Sequence, residues 1–244
     1  MTKRLLTASV TPGGGPVKRA AGADSNRRAR SLTPPDEVPG LLWDVPGLPD
    51  ATRRLLAAGV AAFAEHGFHG TTTRDIATRA GLSPAGLYVH YPSKAALLGH
   101  LSSLGHEAAA DLVDRSLAPD GSTPAVRLHR TVAAFVAWHA EHHQVARVVQ
   151  YELRSLDGGT RALIIRVRRR MEDQVEAVVE QGAADGSLDV TDARQAACVL
   201  LSLAVDVSRW FDPDGRQTPD ELGRAYADLA MRMVGARPVG GDLR

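Results

Sequence analysis

The chain has 244 residues with 44% hydrophobic and 23% charged content, enough for one large or two modest domains with a real core. Net charge is +1, but the first 100 residues carry 12 Lys and Arg against 7 Asp and Glu, and the remainder carry 17 against 21, so any polyanion is expected to meet the N-terminal part. The single cysteine, Cys198, excludes an intrachain disulfide, and no apolar run approaches the ~20 residues of a membrane helix. Together with the lack of an apolar signal-peptide core, this predicts a cytoplasmic protein with no membrane partner.

Residues 1–48 are rich in Gly, Pro, Ser and Arg and predict a flexible basic arm, with local docking through Trp43. From Asp50 the pattern becomes helical. Leu56, Val60 and Phe63 recur at i, i+4 and i+7, a helix ending near Gly67. Thr72 caps a second helix, with Asp75 at its third position, and that helix stops at Gly81. Ser83 and Pro84 start a third helix over residues 84–90, and Ser93 caps a fourth.

Beyond residue 100 the chain stays helical, with breaks at 119–121, 157–159, 185–186 and 212–215. Ile164, Val167, Met171, Val175 and Val178 form one apolar stripe, and residues 192–211 are apolar almost all round. Thr218 to Glu221 is a full capping box opening a last helix, whose Leu222, Tyr226, Leu229 and Met233 share a face. The fold class is all-α, organised as a short helical domain over 49–100, a larger helical domain over 101–236, and a disordered tail over 237–244.

Two short helices joined by a Gly-containing turn and packed on a longer first helix describe a helix-turn-helix unit. Its second helix would lie in the major groove of double-stranded DNA. Ala85 and Gly86 let that backbone approach the duplex, Leu87 anchors it, and Tyr88, His90 and Tyr91 are expected to project outward. Thr71, Thr72, Thr73 and Lys94 stand at helix starts, where phosphates are favoured.

The stretch AAFAEHGFHGTTTRDIATRAGLSPAGLYVHYPSKAALL resembles the DNA-binding domain of the TetR family of transcriptional regulators. The likeness lies in Phe63, Gly67 and Phe68, in Thr72, Thr73, Ile76 and Ala77, in Ala80 to Ser83, in Gly86, Tyr88, His90 and Tyr91, and in Lys94 and Leu97. His90 and Tyr91 stand where many members carry a Tyr/His-Phe pair. Carried onto this chain, the resemblance implies phosphate contacts from Thr71, Thr72, Thr73, Arg74 and Lys94. It implies a recognition surface made of Ser83, Pro84, Ala85, Gly86, Tyr88, His90 and Tyr91. It also implies a homodimer on an inverted-repeat operator, built from the last two helices of each subunit.

Residues 156–235 resemble the C-terminal domains of members that control fatty-acid, sterol-ring or related acyl-CoA catabolism. The likeness lies in Asp185-Gly186, in Trp210, Phe211, Pro213 and Gly215, and in Pro219, Glu221 and Tyr226. It implies a small-molecule effector, an acyl-CoA thioester or a related lipidic acid. Phe135, Trp138, His139, Tyr151, Arg154 and Arg168 are the candidate lining. At 100° per residue Arg168 falls inside the apolar stripe of its helix and so requires a ligand or a partner carboxylate. His139 and His143 have metal-compatible spacing but no third ligand at a telling distance, so no metal or cofactor is assigned. Cys198 is expected to be a buried small side chain, and Asp206 and Arg209 to pair across a dimer interface.

No nucleophile elbow, zinc-protease motif, P-loop or dinucleotide fingerprint occurs, which argues against an enzyme. A regulator whose C-terminal domain only dimerises or binds a protein partner is the alternative to effector control.

Overall fold

A computed structural model describes residues 47–236. The arm expected over 1–48 lies outside the described residues except for its last two, and Trp43 and the 237–244 tail lie outside them as well. Among the described residues there are nine α-helices and no strand. They are α1 (Asp50–Gly70), α2 (Thr73–Arg79), α3 (Pro84–His90), α4 (Lys94–Leu117), α5 (Pro124–Glu141), α6 (His143–Tyr151), α7 (Gly158–Asp185), α8 (Ala193–Trp210) and α9 (Pro219–Met233). None is long and apolar enough to cross a membrane.

Local side-chain chemistry sets most of the helix starts. Thr72 and Asp75 form a reciprocal capping box on α2, and Thr218 and Glu221 form another on α9. Ser83, Ser93, Asp157 and Asp192 each accept a backbone N–H in the first turn of α3, α4, α7 and α8. Gly67 takes φ +68 and breaks the α1 ladder near the expected position, and Gly186 closes α7 in the left-handed region. Two breaks were not foreseen. The chain bends at His142 between α5 and α6, and a single 3-10 turn, Leu153–Ser155, separates α6 from α7.

The apolar side chains gather in two clusters. One joins α1, α2 and α3 through Leu55, Leu56, Phe63, Ile76 and Leu87 to the start of α4, to α6 and to Ile164 of α7. The other joins the rest of α4 to α5, α7, α8 and α9 through Val113, Leu128, Phe135, Met171, Val175, Val207 and Leu222. Trp138 packs against both. At about 1.5–3 kcal/mol for each fully buried Leu or Phe, these contacts supply the main favourable term. Helix α4 runs through residue 100 without interruption, so the expected domain boundary falls inside one rod shared by both clusters.

The last two helices divide their apolar residues between the core and the surface. In α9 Leu222, Ala227, Ala230 and Met231 face inward, whereas Leu229 and Met233 point to solvent. In α8 Leu203 and Trp210 are also exposed, and the Trp210 ring stacks against Tyr226 at 6.4 Å between centroids. These four side chains are 43–56% exposed, so α8 and α9 each leave apolar side chains uncovered. Cys198 is exposed rather than buried, because it sits on the solvent side of α8 while Ala197 and Leu200 face the core. Asp206 and Arg209 pair with each other within α8, at 2.8 and 3.0 Å, because an i,i+3 spacing already puts them in reach.

Helices α5 and α9 meet at Gly223, where a β-carbon would lie 2.4 Å from the Ala133 carbonyl oxygen. The Gly223→Ala variant should lose about 1–3 kcal/mol, as overpacked cores do. Denaturant unfolding checks this; an unchanged midpoint would contradict the close approach.

Candidate functional site

Helices α2 and α3 are joined by a turn in which Gly81 takes φ +67 and the Leu82 N–H donates to the Ala77 carbonyl at 2.8 Å. Arg54 of α1 donates to the Ala80 carbonyl at 2.9 Å, which satisfies the C-terminal end of α2. Leu87 alone among the α3 residues is fully buried. Ser83, Pro84, Ala85, Tyr88, Val89 and His90 are exposed, Gly86 is half-buried, and the Tyr88 hydroxyl lies 3.2 Å from the Thr73 hydroxyl. Val89, at 82% exposure, belongs to this face and escaped the sequence reading because an apolar side chain in a short helix reads as core. Thr72 and Arg74 are exposed beside it and Thr73 is half-buried.

Three side chains expected on this surface are placed otherwise. Thr71 is buried, its hydroxyl donating towards the Ala62 and Gly67 carbonyls at the broken end of α1. Tyr91 is also buried, its hydroxyl 2.8 Å from His100 Nδ1, and burial pushes its pKa up to about 12. Lys94 directs its ammonium to the carbonyls of Phe68 (2.6 Å), Thr71 (2.7 Å) and His69 (3.4 Å), and sits 4.5 Å over the Phe68 ring. An ammonium has three donors, and here carbonyls at the negative end of α1 take all of them. Lys94 and Thr71 therefore hold α1 against the start of α2 and give the exposed surface a fixed base.

A cavity of about 440 Å³ opens between α4, α5, α6, α7 and α8, within the usual size of small-molecule sites. Phe135, Trp138, His139, Tyr151 and Arg168 all line it, with Val149, Met171 and Val205 adding apolar wall. Arg154 does not; it is exposed on the 3-10 turn after α6. Tyr151 is largely exposed, as befits the mouth.

The polar part of the wall is organised around Arg168. Its Nε donates to His106 Nε2 at 3.0 Å and its Nη2 to Gln150 Oε1 at 2.9 Å. Because guanidinium only donates, His106 Nε2 must be unprotonated, and His106 Nδ1–H donates to the Ser102 carbonyl at 2.8 Å. His139 likewise donates Nδ1–H to the Phe135 carbonyl at 2.8 Å. Burial pushes both imidazoles down to about 4, the backbone bonds opposing and the Arg168 charge assisting. Burial also lowers the Arg168 pKa, which Glu172 partly restores. The guanidinium thus has neutral partners in place of the carboxylate considered from sequence. His106, Gln150 and Glu172 were missed in the sequence. Only His106 left a signal, as a histidine on the apolar face of α4 between Leu98, Leu101 and Ala109.

A second, more polar hollow of about 610 Å³ lies between the α5–α6 bend and the α8–α9 connection, beside His143 and Phe211. Among the described residues no group of three His, Cys, Asp or Glu could hold a metal ion.

Besides the shared apolar cluster, a hydrogen bond ties the end of α6 beside the cavity to the end of α1. Two residues after Gln150, Glu152 Oε1 accepts the Phe68 N–H at 2.9 Å, and Ser155 Oγ donates to Glu152 Oε2 at 3.0 Å. Phe68 is also the residue whose carbonyl Lys94 holds.

The profile described as bacterial regulatory proteins, tetR family, matches residues 55–101, and that described as tetracyclin repressor-like, C-terminal domain, matches residues 121–234. The chain is 30% identical to the HTH-type transcriptional repressor KstR2 of Mycobacterium tuberculosis over 72% of its own length and 89% of that protein. A solved regulator of the tetR family from Rhodococcus RHA1 shares 38% identity, with 78% of this chain and 99% of that chain covered and a TM-score of 0.73. AibR, solved in complex with isovaleryl coenzyme A and operator DNA, has the same fold at 23% identity and a TM-score of 0.67, over 77% of this chain and 100% of that one.

Both buried imidazoles titrate near 6.5 when unfolded and near 4 when folded, so unfolding takes up protons between those values. Stability present above pH 6.5 is therefore lost as pH falls towards 4, at about 1.4 kcal/mol per pH unit for each imidazole. The melting temperature should fall between pH 7 and pH 5 and fall less in His139→Gln. Calorimetry across that range checks it; a flat profile would contradict neutral burial.

Proposed function

The chain belongs to the TetR family of transcriptional regulators, and from that premise we propose that it is a dimeric repressor released from its operator by an acyl-type effector. The exposed face of α3, standing on a base closed by Lys94 and Thr71, carries this reading. Ser83, Pro84, Ala85, Gly86, Tyr88, Val89 and His90 form the part of the surface that enters the major groove, and Thr72, Thr73 and Arg74 approach the backbone phosphates. Lys94 acts through its carbonyl clamp, by positioning α1 and α2.

Dimerisation uses the uncovered face of α8 and α9. Leu203, Trp210, Leu229 and Met233 form an apolar patch that a two-fold partner would cover with the same residues. Two such chains set two α3 helices for half-sites about one DNA turn or a multiple apart.

Effector control, rather than a purely structural C-terminal domain, is favoured by the cavity and its half-buried cation. An acyl effector is supported by the C-terminal likeness to regulators of acyl catabolism and by a fold shared with a protein crystallised with isovaleryl coenzyme A. An occupant that engages Arg168 bears on Gln150 and, two residues on, on the Glu152–Phe68 contact at the end of α1. To turn a mostly bound population into a mostly free one, the occupant must prefer the released arrangement by about 5.5 kcal/mol.

The test is fluorescence anisotropy of the purified protein on DNA from upstream of its own gene. Saturable binding with an even number of chains per site, weakening steeply with salt, is expected. Tyr88→Ala should abolish sequence-specific binding while leaving the circular dichroism melt unchanged. Operator affinity equal to that of the parent chain in Tyr88→Ala would remove α3 as the reading element.

A further inference from the structure

Arg168 has more donors than its neighbours use. A guanidinium carries five N–H groups. Nε meets His106 and one Nη2 hydrogen meets Gln150. Among the described residues no hydrogen bond engages Nη1, and Arg168 lines the cavity. That leaves both Nη1 hydrogens and one on Nη2, and an Nη1–H beside an Nη2–H matches the spacing of two carboxylate oxygens.

Among the described residues no carboxylate makes an ion pair with Arg168. Glu172 lies one turn along α7 and acts on Arg168 through space, without an ion pair. Asp206, the other carboxylate at the cavity, is engaged by Arg209. The neighbours in contact are both uncharged: His106 Nε2 accepts from Arg168, so its one proton sits on Nδ1 against the Ser102 carbonyl. Arg127 makes a useful contrast. It also rests on neutral partners, the Leu117 carbonyl and Gln181, but it is buried, its charge lies against the negative end of α4, and it borders neither hollow described above.

A desolvated cation with neutral contacts gains most from a full negative charge. A thioester carbonyl offers one neutral oxygen and adds no negative charge at the guanidinium. The remaining wall, including Phe135, Val149, Met171 and Val205, suits a compact apolar body.

We propose that the cavity takes a free carboxylic acid with a compact apolar body, its carboxylate held by Nη1 and Nη2 of Arg168, while His106 and Gln150 position the guanidinium. This rests on the effector reading above and narrows it, since the releasing ligand is the acid and not its thioester.

Titration calorimetry on the full-length protein tests this with octanoate, decanoate and naphthylacetate, their primary amides and their coenzyme A thioesters, each also added to the operator complex. The acids should bind saturably and release DNA, and the amides and thioesters should bind at least roughly 10-fold more weakly. Arg168→Gln should lose roughly 30-fold or more in acid affinity, the scale of removing one member of a buried charge pair. Gln150→Glu supplies an internal carboxylate at the guanidinium, so it should raise the melting temperature and abolish acid binding without removing the cation. That variant keeps the test available if Arg168→Gln folds poorly.

Equal affinity for acid and amide, or acid binding undiminished in Gln150→Glu, would overturn the assignment. Tighter binding of the thioesters, indifferent to Arg168→Gln, would overturn it while leaving effector control in place. Absence of binding in all three series, with operator binding intact, would overturn both.

Discussion

The guanidinium of Arg168 is the constraint on which the effector-binding region depends. A cation placed inside an apolar stripe costs free energy unless charge or hydrogen bonds offset its desolvation. The fold supplies two neutral acceptors, His106 from α4 and Gln150 from α6, and so draws three helices together around one group. It leaves the outer edge of that group without a protein partner among the described residues. The cavity, the neutral state of the imidazoles and the placing of Gln150 just ahead of the α1 contact all refer to this arrangement.

At the other end, rigidity comes from closing a helix terminus. Gly67 breaks α1 and leaves carbonyls that would otherwise point into space. Lys94 and Thr71 take those carbonyls, and Glu152 takes the neighbouring Phe68 N–H. The same few backbone groups thus anchor the helix-turn-helix and receive the end of α6. A change of a few tenths of an ångström at Gln150 has a short, bonded route to the base of α3. Coupling along such a route is established by perturbation, not by adjacency alone.

What the sequence made legible follows from the range of the interactions involved. The caps at Thr72, Ser83, Ser93 and Thr218 could be read because each involves atoms three residues apart. The bend at His142 and the 3-10 turn at Leu153–Ser155 could not, since neither contains Gly or Pro and both answer to packing between distant helices. Thr71 and Tyr91 read as surface because they carry hydroxyls. Their burial depends on acceptors brought by the broken α1 terminus and by His100. Arg168 stood out by angle alone, yet the identity of its partners required knowing that α4, α6 and α7 meet. The shared face of Leu222, Tyr226, Leu229 and Met233 was legible, but its division into a buried end and an exposed end was not, because that depends on where α9 meets α5.

In the proposed function, occupation of the cavity acts on the DNA-binding end through Glu152 and Phe68. Amide hydrogen exchange at Phe68, measured with and without an effector that releases DNA, tests it most directly. The expected result is faster exchange at Phe68 in the liganded protein, with the α5–α9 amides unchanged. An identical Phe68 rate at saturating effector, with DNA nevertheless released, would contradict the claim.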